Sequence, residues 1–142
     1  MRFISHRGNL NGPSEFENRP EYIDNAINKM YDVEVDIWFS EHQFYLGHDK
    51  GQYAIPTKFL IDRYYYLWCH AKTPQALNEL IAIGMHCFGN SDDPFVMTSR
   101  GYIWSWNCIE QTSRSVCVMP EKSRCMWDKS YGVCSDLVET FK

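Results

Sequence analysis

The sequence contains no apolar run of about 18 residues, the length that a helix needs to cross a bilayer. It opens with MRFISH, which is not the apolar core of a secretion signal. We therefore expect a cytoplasmic protein with no membrane span. The chain also lacks a basic excess, because its formal net charge is −4. This argues against nucleic acid as a partner, while a local basic cluster could still bind a small anionic substrate.

The sequence also lacks a CxxC pair, although it has six cysteines. Four of them lie within apolar runs that favour strands. We predict reduced thiols in a cytoplasmic protein at positions Cys69, Cys87, Cys108, Cys117, Cys125 and Cys134. The even number leaves disulfides open as an alternative, which the missing signal sequence disfavours.

The remaining composition is that of one globular domain. Hydrophobic residues make up 44% of the 142 residues, which is enough to bury a core. Short apolar runs alternate with helical stretches, the pattern of βαβ units. We therefore predict that residues 1–142 form a single α/β domain.

Nine segments are predicted to be strands and three to be helices. The predicted helices are Pro20–Tyr31, Thr57–Tyr65 and Thr73–Ile83. The predicted strands are Arg2–Ser5, Asp32–Phe39, Phe44–Gly47, Leu67–Ala71, His86–Gly89, Phe95–Thr98, Tyr102–Trp104, Ser115–Met119 and Gly132–Ser135. If Phe44–Gly47 is a hairpin arm, eight strands remain, the number in a (β/α)8 TIM-type barrel. Each unit then has only about 18 residues against about 31 in a typical barrel, so we expect a compact barrel with several outer helices shortened or missing.

Two carboxylates lie two residues apart on the clearest predicted strand. Because side chains alternate along a strand, Glu34 and Asp36 share one face, and Val33, Val35 and Ile37 share the other. Two acids that face a barrel interior repel each other unless a cation lies between them. Oxygen ligands of this kind favour Mg²⁺ or Ca²⁺. The alternative is the solvent-facing side of a half-buried strand.

Five further polar residues lie at or after the ends of predicted strands. His70 and Lys72 are two residues apart and share a face, His6 and Arg7 follow the first strand, and His48 follows the hairpin arm. The two histidines outside the His70 strand could act as acid and base, and the two cations could bind phosphate. Each residue alone also fits a plain structural role. Together they lie where barrel enzymes carry their chemistry.

The order of these motifs resembles the glycerophosphodiester phosphodiesterases and the related phospholipase-D toxins of spider venom. The matching segments are His6-Arg7-Gly8, Glu17-Asn18, Glu34-Val35-Asp36, His48-Asp49, His70-Ala71-Lys72 and the closing Gly132-Val133-Cys134-Ser135-Asp136. The resemblance implies a barrel of the PLC-like phosphodiesterase kind and a phosphoric diester hydrolase of lipid metabolism. It implies roles as follows: catalysis for His6 and His48, phosphate binding for Arg7 and Lys72, metal binding for Glu34 and Asp36, and support for Glu17, Asn18 and Asp49.

His70 departs from the family pattern, which has an acidic metal ligand two residues before the lysine. Imidazole also binds divalent metals, so His70 is the third expected ligand. The family implies Mg²⁺ or Ca²⁺, whereas an imidazole ligand also admits Mn²⁺ or Zn²⁺. The alternative is that His70 only hydrogen-bonds a neighbour or a metal-bound water.

The predicted function is metal-assisted hydrolysis of a small phosphodiester, by water or by a neighbouring substrate hydroxyl. One alternative is a phosphate- or metal-binding remnant without catalysis, which the short second half of the chain motivates. A second alternative is a structural or interaction protein, in which Tyr64-Tyr65-Tyr66 and Trp104-Ser105-Trp106 are exposed aromatic patches and not core.

A barrel without outer helices would expose strand faces that helices normally cover. The short connections after Gly89 place this exposure in the second half of the chain. We therefore expect a homo-oligomer that associates through that half, with Tyr102, Trp104 and Trp106 buried between subunits.

Overall fold

The computed structural model describes all residues from Met1 to Lys142. Its strands are β1 (Arg2–His6), β2 (Asp32–Ser40), β3 (Gln43–Leu46), β4 (Tyr53–Ile55), β5 (Leu67–Ala71), β6 (Cys87–Phe88), β7 (Phe95–Met97), β8 (Ile103–Ser105), β9 (Ser115–Val118) and β10 (Gly132–Ser135). Its helices are α1 (Pro20–Asn28), α2 (Thr57–Asp62), α3 (Pro74–Ala82) and α4 (Pro120–Ser123), and a 3₁₀ turn covers Val138–Thr140. None of the helices is long and apolar enough to cross a membrane.

The three predicted helices begin at or next to the predicted residue and end slightly earlier, whereas α4 was not predicted. A proline stands in the first turn of α1 and of α3, where its missing N–H costs nothing. Thr73 caps α3, because its hydroxyl accepts a hydrogen bond of 3.1 Å from the backbone N–H of Ala76. Both α1 and α2 end three residues before their predicted ends. In α1 the chain leaves the helix at Met30, whose backbone is left-handed with a φ of 72°.

Ten strands form one sheet. Seven of them are parallel, in the order β6-β5-β2-β1-β10-β9-β8. The strand β7 pairs with β8 in the antiparallel direction. The antiparallel hairpin β3–β4 extends from the carboxyl half of β2, as predicted for residues 44–47. The central position of β2 places its side chains in the middle of the sheet.

The sheet curls into a half-barrel and does not close. Phe88 of β6 and Trp104 of β8 lie at opposite ends of the parallel order, yet their ring centroids are 4.6 Å apart. No strand ladder joins β6 to β7 or β8. The predicted (β/α)8 TIM-type barrel is therefore wrong. Residues 89–94 and 98–102 are too short for helical crossovers between parallel strands, so β7 returns in the antiparallel direction and only four short helices form.

The two faces of the sheet carry separate cores. The outer core lies under the helices and includes Val33, Val35 and Ile37 of β2, which confirms the predicted alternation. The inner core lies inside the curl and consists of Ile4, Trp68, Phe88, Trp104, Val116 and Cys134. The polar residues of β2 therefore point into the curl and away from the helices.

The aromatic residues of the second half pack within the chain. Trp104 is buried in the inner core, and Tyr102 and Trp106 pack against it. The expectation that Trp104 lies between subunits is therefore wrong, because the curl of the sheet covers it. Of the tyrosine run, Tyr65 and Tyr66 are exposed. Homo-oligomerisation stays a prediction, but these aromatic residues no longer support it.

Candidate functional site

The parallel register brings the predicted site residues to one end of the sheet. His6 in β1 pairs with Glu34 in β2, and Asp36 in β2 pairs with His70 in β5. Three neighbouring strands thus present a histidine, two acids and a second histidine side by side. Because they share the inner face, their side chains converge at the mouth of the curl.

Glu34 and Asp36 are the buried acids at the centre of the site. Their side chains are 2% and 0% exposed, which excludes the alternative of a solvent-facing strand. One oxygen of each acid, Glu34 Oε2 and Asp36 Oδ1, has no hydrogen-bond partner. An unpartnered polar atom in a protein interior is costly. The donor set and the orphaned oxygens therefore fit a divalent cation.

The two acids differ in their tendency to hold a proton. Burial raises the pKa of Glu34 well above its usual value, and the charge of Asp36 raises it further. Burial also raises the pKa of Asp36, but the neighbouring His70 imidazole, the charge of Arg7 and the hydrogen bond from Asn18 outweigh it and lower this pKa to about 2. Without a cation, the pair therefore favours an ionised Asp36 and a protonated Glu34.

His70 completes a group of three potential metal ligands. Its Nδ1 lies 3.3 Å from Asp36 Oδ1 and 3.8 Å from Glu34 Oε1, and the three ligand atoms all lie within 4.8 Å of one another. The other ring nitrogen, Nε2, lies 2.5 Å from Asn90 Oδ1. A proton on Nε2 that is donated to Asn90 leaves the Nδ1 lone pair directed at the acids, where a metal can bind it.

Two cationic side chains lie beside Asp36. Arg7 Nε lies 2.9 Å from Asp36 Oδ2, without the alignment of a hydrogen bond. Lys72 Nζ lies 3.9 Å from Asp36 Oδ1. The Lys72 side chain is only 14% exposed, which does not fit the alternative of a lysine extended into solvent. Both cations can therefore meet an anion that binds at this end of the sheet.

The segment before α1 is attached to β2 by Asn18. Asn18 Nδ2 donates to Asp36 Oδ2 at 2.9 Å, and Asn18 Oδ1 accepts from the backbone N–H of Asp36 at 3.0 Å. Both Asn18 and Arg7 have a left-handed backbone, with φ of 64° and 57°, which costs a non-glycine residue about 1 kcal/mol or more. Glu17 Oε1 accepts a hydrogen bond of 2.8 Å from Asn9 and lies 3.8 Å from Arg7 Nη1. These contacts hold the segment against β2 and place Glu17 near the arginine.

His6 is held by a carboxylate to which the sequence analysis gave no role. His6 Nδ1 lies 2.7 Å from Asp136 Oδ1, and His6 Nε2 lies 3.6 Å from Glu34 Oε2. Asp136 also accepts a hydrogen bond of 2.8 Å from Asn9. Burial raises the pKa of Asp136, but its bonds to His6 and Asn9 lower it to below its usual value. Its position directly after a predicted strand is the signal that could have identified Asp136.

His48 lies at the same end of the sheet but outside this network. The backbone N–H of Gly47 donates a hydrogen bond of 3.2 Å to the carbonyl of Asp36 in β2. His48 is the next residue in the chain, so it lies close to β2. The His48 side chain is 46% exposed, and its Nδ1 contacts Asp49 Oδ1 at 2.8 Å. It lies within hydrogen-bond or ion-pair distance of no other predicted site residue. The structure thus does not bring His48 into contact with His6.

Two open cavities flank Asn90. One has a volume of about 180 Å³ and is lined mainly by aromatic residues, His70, Phe88, Trp104 and Trp106, together with Gly89 and Asn90. The other has a volume of about 250 Å³ and is lined by Lys72, the start of α3 and the same Gly89 and Asn90. The site therefore borders one aromatic surface and one surface with a cation.

Comparisons with known proteins do not identify this site. The chain matches no protein-family model, no curated protein and no solved structure. The resemblance to glycerophosphodiester phosphodiesterases therefore depends on the order of the motifs, and the function is inferred from the residues themselves.

Proposed function

We propose that this chain is a metal-assisted phosphoric diester hydrolase, similar to the glycerophosphodiester phosphodiesterases. The observation that carries the proposal is the buried pair Glu34 and Asp36, each with an unpartnered oxygen, next to the imidazole–carboxylate pair His6 and Asp136. A cation site beside a general base is suited to the cleavage of an anionic ester.

Glu34, Asp36 and His70 would hold the divalent cation. The cation would supply positive charge to a non-bridging oxygen of the phosphate. The raised pKa of Glu34 supports this role, because both buried acids ionise together only when a cation compensates them. The imidazole widens the expected choice from Mg²⁺ and Ca²⁺ to Mn²⁺ and Zn²⁺.

Arg7 and Lys72 would bind the remaining phosphate oxygens. The Arg7 guanidinium is close to Asp36 without a well-aligned hydrogen bond, so its N–H groups can turn to an incoming anion. Lys72 lies beside the same acid and lines the cavity at the start of α3. The aromatic cavity beside His70 would receive one alcohol group of the diester, and the Lys72 cavity the other.

His6 would be the general base. A ring proton on Nδ1 is donated to Asp136, so the Nε2 lone pair faces the mouth of the curl near Glu34. This nitrogen would take a proton from water or from a substrate hydroxyl. His48 would donate a proton to the leaving alkoxide from the rim of the site, where it is half exposed.

One observation favours the second candidate, a phosphate- or metal-binding protein without catalysis. His48 contacts only Asp49 among the predicted site residues, and binding alone requires no acid. In that case Glu34, Asp36, Arg7 and Lys72 would bind ligands without turnover.

The test is hydrolysis of bis(p-nitrophenyl) phosphate with Mg²⁺, Ca²⁺, Mn²⁺ or Zn²⁺, with and without EDTA. We expect metal-dependent release of nitrophenol that Glu34→Gln abolishes. Glu41→Gln is the matched control, because Glu41 is an exposed acid on the turn after β2. Metal-dependent thermal stabilisation without hydrolysis would favour the binding protein, and the absence of both effects would contradict both functions.

A further inference from the structure

Three thiols meet on the outer face of β9. Val116 belongs to the inner core and Val118 packs against it, so Cys117 between them faces outward. In a complete barrel a helix would cover this face. Here the connecting segments 106–114 and 119–131 cover it, and they contain only the four-residue helix α4.

Cys125 lies at the centre of this group, which we call the thiol cluster (Cys108, Cys117 and Cys125). Burial raises the pKa of the Cys125 thiol, and the neighbouring thiols of Cys108 and Cys117 also affect it, because the three side chains lie close together. Cys108 lies on segment 106–114 and is exposed, whereas Cys125 follows α4 and is 8% exposed. A surface cavity of about 360 Å³ is lined by Cys108 and Cys125 and not by Cys117. Solvent and small molecules therefore reach the cluster through Cys108.

The backbone on both sides of the cavity is unusual. Asn107 and Cys108 have left-handed conformations with φ of 61° and 49°, and Arg124, directly before Cys125, has a φ of 50°. Such conformations cost non-glycine residues about 1 kcal/mol or more each. Two irregular segments thus bring two thiols to one cavity, on the side of the sheet that lacks a covering helix.

We propose that Cys108 and Cys125 form a disulfide by exchange with a small-molecule disulfide such as glutathione disulfide. The Cys108 thiolate attacks one sulfur of the reagent, forms a mixed disulfide and releases one glutathione thiolate. Cys125 then loses its proton to solvent and attacks the Cys108 sulfur, which releases the second glutathione. The two protein thiols are oxidised, and one reagent molecule is reduced to two thiols. Arg124 and Lys129 line the same cavity with one acid, Glu110, so the lining has a net positive charge that attracts the anionic reagent.

Cys69 and Cys87 differ from Cys108 in the exposure of their thiols. Cys69 and Cys87 are register partners on β5 and β6, so they are also close together. Both are buried, whereas the Cys108 thiol, which starts the exchange, is exposed. This pair is an internal control for two neighbouring thiols of which neither is exposed.

The experiment treats the reduced full-length chain with glutathione disulfide and then blocks free thiols with iodoacetamide. Peptides are mapped by mass spectrometry without reduction. We expect a peptide that links Cys108 to Cys125, two hydrogen atoms lighter than its reduced parts, while Cys69 and Cys87 stay unmodified until the chain is unfolded. The cross-link closes a loop of about 18 residues, and we expect it to raise the melting temperature by about 5–10 °C.

Variants separate this pair from the Cys117–Cys125 pair. Cys117→Ser should retain the cross-link, and Cys108→Ser should abolish it. A Cys117–Cys125 link in either the wild type or Cys108→Ser would overturn the proposal. A stable glutathione adduct on Cys108 without an internal link, or no reaction of the wild type, would also overturn it. The wild-type map alone decides the matter if a variant does not fold.

Discussion

Asp36 Oδ1 lies 3.3 Å from His70 Nδ1, and the two residues are register partners on neighbouring parallel strands. A shift of one residue in this register would turn His70 towards the helices and away from Asp36. The contact is therefore set by the pairing of β2 with β5, which is fixed by the apolar residues on the opposite face. A site built on strands in this way is rigid enough to position ligands for a metal.

Metal should stabilise the chain through the two buried acids. At a metal concentration of about 100 times Kd, a rise in melting temperature of about 10 °C is expected by mass action. Asp36→Asn should remove most of this rise, because it takes away a buried ligand with an unpartnered oxygen. Thermal unfolding with and without Mn²⁺ measures the effect, and Asp49→Asn, an exposed acid nearby, is the control. An equal rise in wild type and Asp36→Asn would show that the ion binds elsewhere.

His86 should make the metal-free chain less stable in mild acid. Burial lowers the pKa of His86 to about 4, and the charge of Arg100 acts in the same direction. The raised pKa of Glu34 favours the folded state in acid when no metal is bound. The unfolded chain takes up the His86 proton near its usual pKa of 6.5, so the contribution of His86 to the free energy of unfolding falls as the pH drops from about 6.5 to about 4. The loss is at most about 3 kcal/mol.

Urea unfolding in EDTA between pH 7.5 and 4.5 measures this loss. His86→Gln, which cannot take up the proton, should lack this loss. His42→Gln should not, because His42 is an exposed histidine on the turn after β2. A wild-type slope that persists in His86→Gln would assign the effect to other groups.

The sequence predicted the parts of this structure that depend on local patterns. Alternation along residues 33–37 identified which side of β2 packs under the helices, and the same rule placed His70 and Lys72 together. Thr73 and Pro74 marked the start of α3, because capping is a local property. The co-facial acids followed from the same alternation.

Closure of the sheet could not be predicted in this way. It depends on whether the connections after β6 can cross over to a parallel strand, and residues 89–94 are too few to do so. The contact between His6 and Asp136 joins residues 130 positions apart, so no local pattern contains it. The contact of His70 with Asn90 likewise depends on how the chain leaves β6.

The two histidines to which we assign proton transfer, His6 and His48, should both be required for turnover. We expect His6→Ala and His48→Ala each to lower kcat by about 100-fold or more while the fold is retained. The control is His42→Ala, another exposed histidine close to the hairpin. Hydrolysis of bis(p-nitrophenyl) phosphate and circular dichroism give the two readouts. Full activity of His48→Ala would remove that residue from the mechanism and leave His6 as the single proton carrier.

Asp136 should act as a positioning residue for His6. Asp136→Asn keeps the shape of the side chain but removes the charge that stabilises a protonated imidazole 2.7 Å away. We expect kcat to fall by about 10-fold or more with KM little changed, because the ring loses the carboxylate that holds its Nδ1–H and fixes its orientation. A variant in which KM rises while kcat is unchanged would indicate that Asp136 does not position His6 for catalysis.

His70 should determine which metals the site prefers. A neutral imidazole adds no negative charge, so the group of Glu34, Asp36 and His70 has one charge fewer than a group of three carboxylates. His70→Glu should therefore move the preference towards Mg²⁺ or Ca²⁺ and away from Zn²⁺. Metal binding by the variant should also decrease less in mild acid, because a carboxylate stays available as a ligand at a lower pH than an imidazole.

Isothermal titration of each variant with Mg²⁺, Ca²⁺, Mn²⁺ and Zn²⁺ at several pH values measures both changes. His70→Gln is the matched control, since it keeps a polar side chain beside Asn90 without the new charge. If His70→Glu alters neither the metal ranking nor the pH dependence, the imidazole is not a ligand. Its contact with Asp36 would then only orient the carboxylate, and the cation would be held by Glu34, Asp36 and water.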